Sequence, residues 1–442
     1  MHFLFIGINY WPDATGIAPF TTGRCEYLAS RGHRVTVLTG FPYYPNWRVP
    51  DAYRGRLRAD EERNGVTILR SWLYVPTQAN AVKRILHEAS FIASSTLRAL
   101  ARRGKDRPDL IVVTTPPLAL GLSAILLSRL WKVPFVQHVP DLQPDAALDL
   151  GMLRPGRLTE VLYRIERLGY RKAALVSTLT DAMRQKILDK GIAPEKVVLF
   201  ADWARSDLFD VPALGGGAKF KQTMGLGNEL LVVHAGNMGV KQGLEVILGA
   251  AERSRDDRSI RYLMVGDGAV RRRLEEQAKA SRLDNISFVP LLPDDQFMDL
   301  LAASDISLVT QQKSVADIVF PSKVITLMSS ARAVVASVSS GSEVARVLQQ
   351  ADAGVLVAPE EPAALLNAII ALRDDPPRRI QLGANGRAFA RRFWEKYRTL
   401  SILEASLVGV VTRGTSSGMI SGMIKDVTPS QHLIAQREES RQ

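Results

Sequence analysis

The sequence predicts an α/β protein made of two doubly wound, Rossmann-like domains. Three observations predict it. Short apolar runs alternate with helix-length segments along most of the 442 residues. The runs are apolar throughout rather than every second residue, as in Leu230–His234 and Ala333–Ala336, which fits parallel strands covered on both faces. A second strand–helix series restarts at Leu230, after the loop-like stretch Pro212-Ala213-Leu214-Gly215-Gly216-Gly217.

In the first series the strands are expected at His2–Ile6, Arg34–Leu38, Val66–Arg70, Leu110–Val113, Phe135–His138 and Leu175–Thr178. Gly16 to Arg31 reads as a loop and a helix that Gly32-His33 ends. In the second series the strands are Leu230–His234, Tyr262–Val265, Ile286–Val289, Ile306–Val309, Ala333–Ala336 and Gly354–Val357. Helices Leu244–Arg253, Ala269–Ser281, Asp294–Ala303, Glu343–Gln350 and Pro362–Arg373 alternate with them, and Pro321 opens another. The domains are therefore placed at 1–210 and 218–387, with terminal helices over 388–411 and a disordered tail over 412–442.

Hydrophobic residues make up 46% and charged residues 23%, the balance of a soluble chain with ample core. Cys25 is the single cysteine, so an intramolecular disulfide is excluded and a reducing compartment is expected. The start, MHFLFIGINY, reads as a first strand rather than a signal peptide, and no apolar run reaches the roughly 20 residues of a membrane span. The net charge is +12, and residues 1–210 hold 29 Lys+Arg against 20 Asp+Glu. This excess points to an anionic partner. Zinc spacing and aromatic–basic RNA signatures are absent, so a membrane surface fits better than nucleic acid. Ala81 to Arg103 supports that choice, because it mixes Leu, Ile and Phe with Lys83, Arg84, Arg98, Arg102 and Arg103.

Four strand-end loops carry the candidate chemistry. NYWPDATGIAPFTT, Asn9 to Thr22, contains Asp13 and a glycine, Gly16, that permits close ligand approach. FVQHVPDLQPDAA, Phe135 to Ala147, sets His138, Asp141 and Asp145 at the carboxyl edge of a parallel sheet, where α/β proteins bind ligands. LVVHAGNMGVKQG, Leu231 to Gly243, joins Gly236 and Gly239 to Lys241 before a helix. FPSKVITLMSSARAVVA, Phe320 to Ala336, puts Ser322 and Lys323 at a helix start, a cradle for a diphosphate. Gly266-Asp267-Gly268 lacks the full dinucleotide pattern and reads as a turn. Neither a metal-ligand cluster, a D-x-D pair nor a G-x-S-x-G elbow is found.

The segments NYWPDATGIAP, LASRGHRVTVLTGFPYYP, HVPDLQPDAALDLG, HAGNMGVKQGL and FPSKVITLM carry a resemblance. Over residues 1–410 the chain resembles the family 4 glycosyltransferases of GT-B fold. More narrowly it is similar to the WcaI-type enzymes of bacterial exopolysaccharide (colanic acid) biosynthesis, described as fucosyltransferases. The resemblance implies a metal-independent, retaining transfer from a nucleoside-diphosphate sugar, possible donors including GDP-fucose, to a lipid-linked oligosaccharide. It places the donor in a cleft between the domains, the terminal helices back against the first domain, and the protein on the inner face of the plasma membrane. By this resemblance Lys241 and Lys323 meet the diphosphate, His138 the sugar, and Gly16 the loop beside the donor. Gly236, Asn237, Ser322 and Thr326 join the donor set, and Val289 and Leu291 flank the base through backbone. Asp13, Asp141 and Asp145 stand on the acceptor side. Two positions that hold glutamate in many members are Ile318 and Thr326 here, with Asp317 next to the first. Asn237 and Gln242 occupy places that are often basic. A sugar-nucleotide epimerase of the same fold and a non-catalytic membrane-bound module are the alternative readings.

Overall fold

A computed structural model describes residues 1–77, 81–102, 107–149, 153–213, 216–313 and 322–413. Asp317, Ile318, Phe320, Pro321, Arg103 and the tail from 414 lie outside them. The chain divides into two compact units. One comprises Met1–Asp202 with the segment from Tyr397, and the other Trp203–Lys396.

The first unit contains strands β1 (His2–Ile6), β2 (Arg34–Gly40), β3 (Arg58–Arg63), β4 (Val66–Ser71), β5 (Leu110–Thr114), β6 (Phe135–Val139), β7 (Leu175–Thr178) and β8 (Val197–Leu199). They form one sheet in the order β3-β4-β2-β1-β5-β6-β7-β8, parallel except for the β3–β4 hairpin. From central β1 the chain runs outward to β2 on one side and later to β5 on the other. The carboxyl ends of β1 and β5 thus flank a topological switch point, where such sheets leave a crevice for ligands. Ile6, Ile111, Val113 and Phe135 build the core under helices such as Leu120–Trp131.

Helix Ala81–Ala101 shows why its sequence mixes apolar and basic residues. His87, Phe91, Ser95 and Ala99, four apart, form its buried stripe. Val82, Ile85, Leu86 and Leu97 face outward, each more than half exposed. Arg98 and Arg102 pair with Asp60 on β3, so only part of the basic set expected to face a membrane is free of that carboxylate. The last helix, Lys396–Arg413, belongs to this unit through Glu404, which accepts from Tyr27 Oη at 3.0 Å and pairs with Arg31 and His33.

The second unit holds β9 (Leu230–Ala235), β10 (Ile260–Val265), β11 (Ile286–Val289), β12 (Ile306–Thr310), β13 (Ala333–Ser337) and β14 (Gly354–Val357). The order is β11-β10-β9-β12-β13-β14, all parallel. Leu230 and Val232 pack on one face with Tyr262 and Met264, while Leu231 and Val233 pack on the other with Leu263 and Val265. Burial on both faces is what the continuous apolar strands require. The switch point falls between β9 and β12.

Ile111 is fully buried on β5, one of the two strands that flank the first switch point. Ile111→Ala is expected to lower unfolding stability by about 2–5 kcal/mol, read from urea denaturation midpoints.

Candidate functional site

In the second unit, three strand ends meet by close backbone approach. The Gly236 N–H donates to the Val265 carbonyl at 2.8 Å, and the Gly266 N–H to the Val289 carbonyl at 3.0 Å. Gly236 and Gly266 have φ of 135° and 136°, outside the range of ordinary side-chain-bearing residues. A Cβ on Gly266 would collide with the Gly236 carbonyl. The Gly266-Asp267-Gly268 turn, read from sequence as a plain turn, is therefore half of this edge: the Met238 N–H donates to Asp267 O at 2.8 Å, and Val270 N–H to Met238 O at 3.0 Å.

Lys323, on helix Ser322–Ser329, lies against this turn. Its Cε would sit 3.0 Å from a Cβ at Gly236, and its Nζ is 3.4 Å from both ring nitrogens of His234. Equal separations put the ammonium off the lone-pair axis of either nitrogen, so the contact is a weak hydrogen bond. Among the described residues no carboxylate pairs with it, and burial lowers its pKa to about 7. His234 is fully buried at the end of β9. Burial first, then the Lys323 charge, hold its pKa well below the usual value, so it is neutral. An ammonium that is desolvated and lacks a counter-charge is a receptor for an anion.

The other expected donor residues distribute around this point. Asn237 lies over Gly239 and Gly268, its amide within 2.9 Å of where either Cβ would stand. Lys241 is exposed on the short turn Val240–Gln242, whose carbonyl at Lys241 accepts from Gln312 N–H at 2.9 Å. Val289 ends β11, and Leu291 is 70% exposed in the loop beyond. Ser322 is the first residue of its helix, and Thr326 lies one turn further. The structure thus joins Gly236, Asn237 and Lys323. Sequence reasoning missed His234, which reads as one more strand residue, and undervalued Gly266 and Gly268, whose signal was a glycine repeated at the ends of neighbouring strands.

In the first unit, His138 lies on β6, inside the protein. It is 3% exposed, and both ring nitrogens are used inside the protein. Arg24 Nη1 donates to Nε2 at 2.9 Å, so Nδ1 carries the proton and donates to Ser177 Oγ at 2.9 Å. Arg24 also donates to Asp202 Oδ1 at 2.9 Å and to the Phe200 carbonyl. Burial and the Arg24 charge keep His138 neutral, while burial lifts Asp202 to about 6 against the pull of Arg24. A nitrogen of this ring reaches a sugar only by breaking one of these bonds, so His138 brackets β6 and β7 rather than facing solvent.

Asp145 is likewise committed. It accepts from Lys190 Nζ at 2.5 Å, which also bonds buried Glu166 at 2.6 Å. Asp141 follows β6, half-buried. Asp13 is 7% exposed and accepts from Asn9 Nδ2 at 3.2 Å, with burial raising its carboxyl and backbone N–H groups of Tyr44 and Tyr43 lowering it. Gly16 (φ 66°) lies in the same loop, near the Tyr44 ring. Buried Arg70 ties the loops together, donating to Trp11 O at 2.7 Å and to both Glu61 oxygens at 2.8 Å.

Two parallel-sheet units, one with a buried lysine that has no counter-charge among the described residues at its switch point, fit the GT-B architecture of glycosyltransferases, and the comparisons agree. Residues 15–203 match the family described as Glycosyl transferase 4-like domain, and residues 229–375 that described as Glycosyl transferases group 1. The chain is 36% identical over 332 residues to the putative colanic acid biosynthesis glycosyl transferase WcaI of Escherichia coli K12, across 74% of this chain and 81% of that one. It is 25% identical over 282 residues to the probable glycosyltransferase WbjE of Pseudomonas aeruginosa, across 63% and 69%. Anabaena HepE, solved in complex with UDP, superposes with a TM-score of 0.68 at 18% identity, covering 92% of this chain and all of that one. The chain belongs to the family 4 glycosyltransferases, in the group typified by WcaI.

The Lys323 site carries a pH signature. With an anion bound, the lysine pKa rises from about 7, so above neutral pH binding takes up a proton. Titration calorimetry of UDP and GDP at about pH 8.5 in HEPES and Tris is expected to show uptake approaching one proton, and Lys323→Met to abolish it. Equal observed enthalpies in the two buffers for the unmutated chain would exclude a titrating Lys323.

Proposed function

We propose that the chain moves a sugar from a nucleoside-diphosphate donor to a lipid-linked oligosaccharide in bacterial exopolysaccharide synthesis, with retention of configuration. The observation that carries the donor half is Lys323, buried over Gly236 with no counter-charge among the described residues. HepE has been solved with UDP and with UDP-glucose, which supports a nucleotide-sugar donor here. As the glycosidic bond breaks, negative charge grows on the leaving diphosphate. Lys323 and, from its exposed turn, Lys241 stabilise that charge together with the N–H groups opening helix Ser322–Ser329. A donor phosphate oxygen accepts the acceptor proton on the face the leaving group vacates, which gives retention. GDP-fucose is the donor the WcaI resemblance favours, and the exopolysaccharide role rests on the same relative.

Lys323→Ala is expected to lower transfer by about two to three orders of magnitude, the range for a lost electrostatic donor. The assay is nucleoside diphosphate release from labelled GDP-fucose and UDP-sugars, with and without lipid acceptor. Near-normal turnover would remove the cradle from the mechanism, and isomerisation without acceptor would favour an epimerase.

Membrane docking completes the proposal, since a lipid-linked acceptor is confined to a bilayer. Among the described residues no helix is long and apolar enough to cross a membrane. Helix Ala81–Ala101 exposes Val82, Ile85 and Leu86 beside Lys83 and Arg84. The neighbouring helices expose Leu122 and Leu126, and Leu158 and Val161. Leucines flanked by basic residues suit an anionic bilayer at the inner face of the plasma membrane. Co-sedimentation with phosphatidylglycerol vesicles is expected, weaker with phosphatidylcholine, and reduced about tenfold in the double variant Ile85→Glu, Leu86→Glu. Equal sedimentation of variant and parent would assign docking elsewhere.

A further inference from the structure

The first unit holds a polar constellation that donor binding leaves unused. Gln143, beyond β6, donates from Nε2 to Glu88 Oε1 at 3.0 Å. Its own Oε1 accepts the Leu118 backbone N–H at 3.1 Å, beyond β5, and this bond fixes which end of the amide faces Glu88. Glu88 is thereby oriented at the carboxyl edge of the sheet, beside the switch point. The phenol of Tyr43 hydrogen-bonds the Asn9 side chain and lies within the fields of both Asp13 and Glu88. Asn9 in turn holds Asp13. Aromatic rings pack around these groups: Tyr43 meets His87 at 4.6 Å and Trp47 at 5.5 Å between centroids.

Elsewhere in this unit, partly buried carboxylates are neutralised by bases, as Asp145 and Glu166 are by Lys190, or Glu61 by Arg70. Asp13 and Glu88 accept instead from amide and backbone N–H groups, with Arg70 and Arg84 acting on them only through their fields, and burial, the largest influence, raises both carboxyls above their ordinary range. Carboxyls held by neutral donors keep lone pairs for further hydrogen bonds, and sugar hydroxyls are donors of the matching strength.

We propose that Glu88, with Asp13, forms a subsite that holds the acceptor saccharide by its hydroxyl groups, with Gln143 as the residue that positions Glu88. This rests on the glycosyl-transfer reading above and adds the acceptor-binding residues to it. The test measures nucleoside diphosphate release from GDP-fucose or UDP-glucose while octyl glucoside or octyl galactoside is titrated below its micelle concentration. Glu88→Gln is expected to raise the KM for the glycoside about tenfold or more while the dissociation constants for UDP and GDP stay unchanged, Glu88→Asp to recover part of the loss, and Gln143→Leu to give an intermediate KM. Thermal unfolding of each variant separates this from a folding defect. An unchanged glycoside KM in Glu88→Gln overturns the subsite and leaves the donor reading standing. A parent chain that binds neither nucleotide overturns both.

Discussion

A buried ammonium that has no counter-charge among the described residues is the constraint around which the second unit is arranged. Removing a lysine from water is costly unless something compensates it, and Lys323 answers by dropping its pKa to about 7. The floor is backbone, because Gly236 leaves no room for a side chain beneath Cε, and the neighbour is a neutral histidine. The same glycine keeps β9 and β10 in contact at their ends, so the feature that creates the lysine's seat also shapes the edge on which a phosphate would rest. A Cβ at Gly236 would displace the lysine, and one at Gly266 would part the strands.

The first unit solves its electrostatics differently. Arg24 sits 4% exposed, yet three acceptors share its protons: His138 Nε2, Asp202 and the Phe200 carbonyl. Arg70 is similarly divided among Glu61, Trp11 O and Gly40 O. Planar guanidinium groups suit this bracing because their donors radiate in fixed directions. The outcome is a set of strand-end loops whose backbone is fixed by buried arginines, with Asp13 and Tyr43 packed among them and Glu88 beside them on helix Ala81–Ala101.

Much of this was legible in the sequence, for reasons that also mark the limits. Twelve strands were readable because a strand buried on both faces must be apolar along its whole length, and β1, β7, β11 and β14 fall where the runs predict. β3 was not readable: RADEER is an antiparallel edge strand whose charged residues pair with Arg98 and Arg70, so no apolar run announces it. β8 spans only Val197–Leu199, too short for periodicity to register. Helix Pro376–Phe393 starts twelve residues before the Ala388 onset expected, because PPRR hides a helix start among residues that also suit a loop. At the site, Lys323 was legible as a cation at a helix start, whereas the burial that gives it its chemistry depends on Gly236 and His234, both brought from another strand. For His138 it was the partners inside the fold that were not legible. A histidine at a strand end suggests exposure to ligand, but Arg24 and Ser177, 114 and 39 residues away, had already claimed both nitrogens.

These cases share one physical rule about where function is to be sought. A folded chain compensates its buried polar groups wherever it can, since an uncompensated one costs stability. Lys190, Arg24, Arg70 and Glu404 are compensated fully, and each is explained by the fold alone. Among the described residues Lys323 has no counter-charge, and Asp13 and Glu88 accept from neutral donors while Arg70 and Arg84 reach them only through their fields. All three lie at the carboxyl ends of parallel strands, on the edge where loops and not layers decide what touches the sheet. Opposite signs of the same deficit, cationic in the second unit and anionic in the first, suit the two substrates of a glycosyl transfer: an anionic diphosphate whose charge grows as the bond breaks, and a neutral saccharide that offers hydroxyl protons.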